Sequence, residues 1–198
     1  MTYRVAVAVS GRGSNLHALV DALAADPVAE VVLVLSDRDA AALDFARSRG
    51  ISTHRLQSHR DSGEWLRTLS EAEVDLLVLA GYLKLVPAAV IAAMPGRIIN
   101  IHPGILPGYG GPGMYGNRVH EAVLAAGERA SGATVHLVDE AYDRGAVLAC
   151  AQVPVHAGDT AETLAARVLA EEHKLLPLVV KAAAKAGRPV PPTADTLD

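Results

Sequence analysis

For its first hundred residues the chain alternates short apolar runs with amphipathic stretches. Tyr3–Val9 is a β-branched run ending at the turn Ser10-Gly11-Arg12-Gly13-Ser14-Asn15. Beyond the turn, Leu16, Leu19, Val20 and Leu23 recur at helical spacing, so Leu16–Leu23 predicts a helix. Glu30–Leu35 predicts the next strand and Ala40–Ser48 the next helix, which Gly50 stops. A weak strand near Thr53–Leu56 leads into a helix over Ser62–Glu73. Val74–Leu79 is almost wholly apolar, as a strand covered on both faces should be. Pro87–Met94 predicts a short helix and Arg97–Ile101 another buried strand. Strands alternating with helices predict an α/β fold with a doubly wound, mostly parallel sheet.

The pattern changes after Gly116. Val119–Ala126 predicts a helix, but Ala133–Val138 and Val147–Val155 are two apolar runs with only the polar stretch Asp139–Gly145 between them. They are expected to pair as an antiparallel hairpin at the sheet edge. Thr160-Ala-Glu-Thr163 opens a long helix through about Ala186. The expectation is one domain over residues 1–187, with the proline-containing segment 188–198 as a loose tail.

Composition narrows the possibilities. Hydrophobic residues at 51% against 20% charged residues describe a globular chain, and 4% aromatic content leaves the core to Ala, Val, Leu and Ile. A net charge of −4 with no Lys/Arg cluster argues against a nucleic-acid partner. No apolar run is long enough for a membrane span, and the amino terminus enters a strand without a signal peptide, so a cytoplasmic protein is expected. Cys150 is the only cysteine, which excludes an internal disulfide; its apolar surroundings suggest a small core residue. Nothing here chooses between monomer and homodimer.

Three stretches carry chemistry. Gly11-Arg12-Gly13-Ser14-Asn15 lies between a strand and a helix, where amides and the helix dipole can hold a phosphate. The competing readings are a dinucleotide site and a plain glycine turn capped by Asn15. A dinucleotide site wants a third glycine where Leu16 stands, although Asp37 superficially resembles its ribose-binding acid. Asn100-Ile-His102-Pro-Gly-Ile-Leu-Pro107 places an amide and an imidazole two residues apart at the mouth of a strand, on one face. That pair suits oxyanion stabilisation and proton transfer. An acid from Asp139–Gly145 can join it if the sixth strand ends on the same side of the sheet as the third stretch, Ala80–Pro87, which can line an apolar pocket. A carboxylate there favours imidazolium, so His102 is expected to titrate above its ordinary value. His136, within a strand, and His120, on a helix face, are weaker candidates, structural by default.

Taken together, Ser10–Asn15, Ala80-Gly-Tyr-Leu83, Asn100–Pro107 and Val135-His-Leu-Val-Asp139…Asp143-x-Gly145 resemble the glycinamide ribonucleotide formyltransferase family, from about Val5 to Val179. The resemblance implies the Rossmann-like formyltransferase fold and formyl transfer from 10-formyltetrahydrofolate to the phosphoribosylglycinamide amine in de novo purine synthesis. It implies Asn100, His102 and Asp143 as the catalytic trio. Gly13, Ser14 and Asn15 would hold the substrate phosphate, and Glu172 the ribose hydroxyls. Leu83, Lys84, Leu85 and Val86, with Asn100 and Asp139, Glu140, Ala141, Tyr142 and Asp143, would hold the folate. No metal and no partner beyond these small molecules is implied.

The chain departs from the family pattern at Gly63 and Lys84, where arginine is often found, and at Leu169, often polar. Gly108–Gly116 is longer than the commonest version. A folate deformylase, a nucleotide-binding reductase and a phosphosugar sensor are the other readings. The phosphate cradle argues against the first, Leu16 against the second, and the trio against the third.

Overall fold

The computed structural model describes residues 2–193. In β1 (Tyr3–Val9), Val5, Ala6, Val7, Ala8 and Val9 are all fully buried. Alternate side chains point to opposite faces of a strand. Val5, Val7 and Val9 therefore join one core and Ala6 and Ala8 a second core across the sheet. β4 (Leu76–Ala80) divides likewise, Leu76, Val78 and Ala80 against Leu77 and Leu79. Helices cover both faces: α1 (Ser14–Ala25), α2 (Ala41–Ser48) and α6 (Ala161–Ala186) pack on the first core, α3 (Ser62–Glu71) and α4 (Ala88–Ala93) on the second.

With β2 (Ala29–Ser36), β3 (Ser52–Arg55), β5 (Ile98–His102), β6 (Ala130–Leu137) and β7 (Val147–Pro154), the sheet has, among the described residues, seven strands in the order β3-β2-β1-β4-β5-β6-β7. β3 through β5 are parallel, and β6 and β7 antiparallel. The doubly wound, mostly parallel sheet with an antiparallel edge is thus the fold. The winding reverses between β1 and β4, which opens a crevice at their carboxyl ends. α5 (Asn117–Ala125) leads into β6. α6 starts where expected: Thr160 Oγ1 accepts from the Thr163 N–H, and Thr163 Oγ1 from the Thr160 N–H at 2.9 Å.

Two expectations need correction. β6 is antiparallel to β5, and its end, Leu137, lies opposite Ile99, three residues short of His102. The loop after β6 therefore does not start on the side of the crevice; it folds back to reach it, with Asp143 at φ +55°. Cys150 is exposed instead of buried. It lies on the outermost strand, where the alternate residues Ala149, Ala151 and Val153 pack on the core and Cys150 points the other way, a position that its apolar neighbours conceal.

Of the expected tail, residues 194–198 lie outside the described residues; Arg188–Thr193 form no helix or strand, and Pro189 is buried. No helix among the described residues is long and apolar enough to cross a membrane.

Candidate active site

The turn after β1 is built around Gly13, which has φ +78° and is the residue immediately preceding α1. A methyl group there would lie 2.6 Å from Ala42 Cβ, so both the conformation and the space require glycine. No side chain caps α1, leaving its first-turn amides for a ligand. The alternative of Asn15 as a cap is excluded. Asn15 is buried, and its Nδ2 donates to Glu172 Oε2 at 2.6 Å. Burial raises the Glu172 pKa, and the Asn15 hydrogen bond opposes that rise.

Ser10 ties this turn to its neighbours. Its hydroxyl donates to Asp37 Oδ1 at 2.6 Å and accepts the Leu83 N–H at 3.0 Å. Asp37 is also paired with Arg38 at 2.6 Å. Burial raises the Asp37 pKa, but Arg38 and Ser10 outweigh it and hold the carboxyl below its usual value. Asp37 thus serves the turn, and Leu16 is wholly buried where a dinucleotide motif needs glycine. Both features speak against the reductase reading.

Asn100 and His102 both lie on β5, at alternate positions, and His102 is 3% exposed. Opposite His102 stands Thr134, whose hydroxyl donates to Gly104 O at 2.7 Å and accepts the Leu106 N–H at 3.3 Å, pinning the turn that follows. His102 Nε2 is 2.6 Å from Tyr109 O, a carbonyl that only accepts, so Nε2 carries the hydrogen. Nδ1 lies 3.6 Å from Asp143 Oδ2. Asp143 in turn accepts the Gly111 N–H at 2.9 Å, and its Oδ1 is 3.4 Å from Asn100 Nδ2. Gly110 permits this approach, since a methyl group there would stand 2.8 Å from Asp143 Cβ.

The electrostatics reverse one expectation. Burial is the largest influence on His102 and lowers its pKa; Asp143 and the Tyr109 carbonyl pull upward without cancelling it. The resting imidazole is neutral above its ordinary value of 6.5. For Asp143, burial raises the pKa, but His136, the Gly111 amide and the neighbouring imidazoles together bring it below the carboxylate norm.

A cavity of about 630 Å³ joins these groups. Gly13, Ser14, Asn15 and Glu172 line it, as do Asn100, His102 and Asp143. Leu83, Lys84, Leu85 and Val86 form another wall with Asp139, Ala141 and Tyr142. Leu83, Leu85 and Tyr142 are unusually exposed for large apolar residues, at 44%, 46% and 38%. Glu140 does not line this cavity; it borders an adjoining hollow with Arg60 and Lys84. Leu169 and Glu172 line the cavity, as does Tyr115 from the glycine-rich segment.

Residues 3–180 match the formyl transferase family profile. The chain belongs to that family. A phosphoribosylglycinamide formyltransferase of Vigna unguiculata, described as chloroplastic, is 46% identical over 187 residues, covering 90% of this chain and 60% of that protein. This chain therefore spans less than two thirds of that relative's length. The phosphoribosylglycinamide formyltransferase of Escherichia coli (strain K12) is 38% identical over 184 residues, covering 89% of this chain and 84% of that one. The crystal structure of phosphoribosylglycinamide formyltransferase from Anaplasma phagocytophilum superimposes with a TM-score of 0.86 at 36% identity, over 94% and 88% of the two chains.

Two residues that the sequence offers only as weaker candidates also line this formyl transferase cavity. His136 pairs across the sheet with Asn100 and is 2% exposed. His120, on α5, is 3% exposed with its Nδ1 buried and unpartnered; burial and then His102 lower its pKa. For His136 the available signal was a polar residue inside an apolar run, since a buried polar group needs a partner.

Proposed function

We propose that the chain transfers the formyl group of 10-formyltetrahydrofolate to the primary amine of N1-(5-phosphoribosyl)glycinamide, a step of purine biosynthesis. The observation that carries this reading is one cavity with three chemically distinct parts: free helix amides, a buried amide–imidazole–carboxylate cluster, and an apolar wall. The names of the relatives point the same way.

The phosphate sits on the amides of Gly13, Ser14 and Asn15, and Glu172 takes the ribose hydroxyls. Leu83–Val86 and the Asp139–Asp143 loop hold the folate. This grip at a distance fixes the amine against the formyl carbon. Attack creates a tetrahedral oxyanion, to which Asn100 Nδ2 donates. The attacking nitrogen, now positively charged, gives a proton to His102 Nδ1. Asp143 stabilises the imidazolium, which then protonates the departing N10 of the folate. A neutral resting His102 suits this order, because it must first act as a base.

The test is incubation with the formyl folate, with and without the acceptor. Formylated acceptor and tetrahydrofolate in equal amounts are expected. Formate released without acceptor, or no turnover at all, would overturn the reading.

Asn15 gives a second test. Because its amide is engaged by Glu172, Asn15→Ala leaves a buried carboxylate without its donor. Affinity for the phosphoribosyl acceptor should fall by about 10- to 100-fold, while that for the folate stays within a few-fold. Calorimetric titration of each ligand alone checks this; equal losses would mean a general folding defect.

A further inference from the structure

We propose that His136 is a positioning residue that fixes which end of the Asn100 amide serves the reaction; this rests on the formyl-transfer reading. His136 Nδ1 is 2.8 Å from Leu137 O. A carbonyl only accepts, so Nδ1 carries the hydrogen, and in the neutral ring Nε2 is a bare acceptor. That Nε2 lies 3.0 Å from Asn100 Nδ2, which donates to it. A backbone carbonyl thereby selects the tautomer of His136, and the tautomer selects the orientation of Asn100.

The selection matters because a side-chain amide has two ends of similar shape and opposite polarity. Turned over, Asn100 would offer oxygen where it must donate. One Nδ2 hydrogen is anchored on His136; the other faces only Asp143 Oδ1 at 3.4 Å, a long contact that leaves it available to an oxyanion. The competing arrangement gives His136 Nε2 a hydrogen directed at Asp143 Oδ1, also at 3.4 Å. It would set that N–H against the Asn100 donor and force the amide over. The protonation of His136 and the orientation of Asn100 are therefore one choice. The shorter contact to Asn100 favours the neutral ring. The antiparallel register of β5 and β6 supplies the geometry, placing Asn100 directly opposite His136.

The experiment has two arms. Nitrogen-15 NMR of the ligand-free wild-type protein, labelled at histidine, is expected to show His136 neutral, with a protonated Nδ1 and a bare Nε2 at neutral pH. An imidazolium or the opposite tautomer overturns the proposal. In steady-state kinetics His136→Phe, which keeps a ring but no acceptor, is expected to lower kcat by about 10- to 100-fold with KM for both substrates within about threefold. His136→Gln can still accept from Asn100 and is expected to recover part of the loss. Full kcat in a folded His136→Phe protein, or His136→Gln no faster than His136→Phe, overturns the proposal. A wild-type protein that transfers no formyl group overturns the parent reading alone, since the NMR arm needs no substrate and still decides the state of His136.

Discussion

Replacing His102 by alanine is expected to lower kcat by about 10²- to 10⁴-fold, with the affinity for each substrate changed only a few-fold. The Tyr109 carbonyl holds Nε2 at 2.6 Å and leaves Nδ1 as the working nitrogen beside Asp143. In the proposed mechanism alanine removes a proton carrier that acts only as the bond to the formyl carbon is made and the bond to N10 is broken. Single-turnover kinetics beside equilibrium binding separate the two quantities. A folded His102→Ala protein with near-normal kcat would end the assignment.

Asp143→Asn is expected to cost a comparable factor, about 10²- to 10⁴-fold, because the imidazolium formed during transfer loses its counter-charge. The pH profile gives the sharper test. Burial holds the His102 pKa below 6.5, and Asp143 pulls it back up. Removing the carboxylate charge should move it lower still. In the proposed mechanism neutral His102 is the reactive form, so activity is expected to rise with pH through its titration, and in the variant that limb should shift to lower pH. The substrate amine must also be neutral, and the limb reports macroscopic constants. The His102 resonance is therefore to be followed by NMR alongside the rate. An unchanged midpoint would mean that Asp143 does not tune this histidine.

The same depression has a consequence for stability. His102 is neutral when folded and protonates below about 6.5 when unfolded, so its contribution is complete above that pH and is lost as pH falls beneath it.

Much of this was legible in the chain. Strands covered on both faces show as near-continuous apolar runs, and β1, β4 and β5 were found within two residues of their ends. The glycine turn and the Asn100–His102 pair are local features, readable from neighbouring residues. What escaped depends on distant parts of the chain. Cys150 is exposed on a strand that, among the described residues, forms the edge of the sheet, which its composition does not state. Asp143 reaches the site only because its loop doubles back. The sign of the His102 shift follows from depth of burial, and the partner of Asn15 is 157 residues away. His136 was assigned to its strand, but its role required knowing that Asn100 stands across from it.

The Ser10 hydroxyl touches two cavity loops at once, its own glycine turn and, through the Leu83 amide, the apolar wall. A ligand that stiffens one loop leaves less freedom to be lost when the other is occupied. Free-energy linkage makes any such cooperativity symmetrical: the factor by which the phosphorylated acceptor tightens folate binding equals the factor by which folate tightens the acceptor. Neither order of addition is then privileged at equilibrium, and a preferred order in kinetics would report access to the crevice, not affinity.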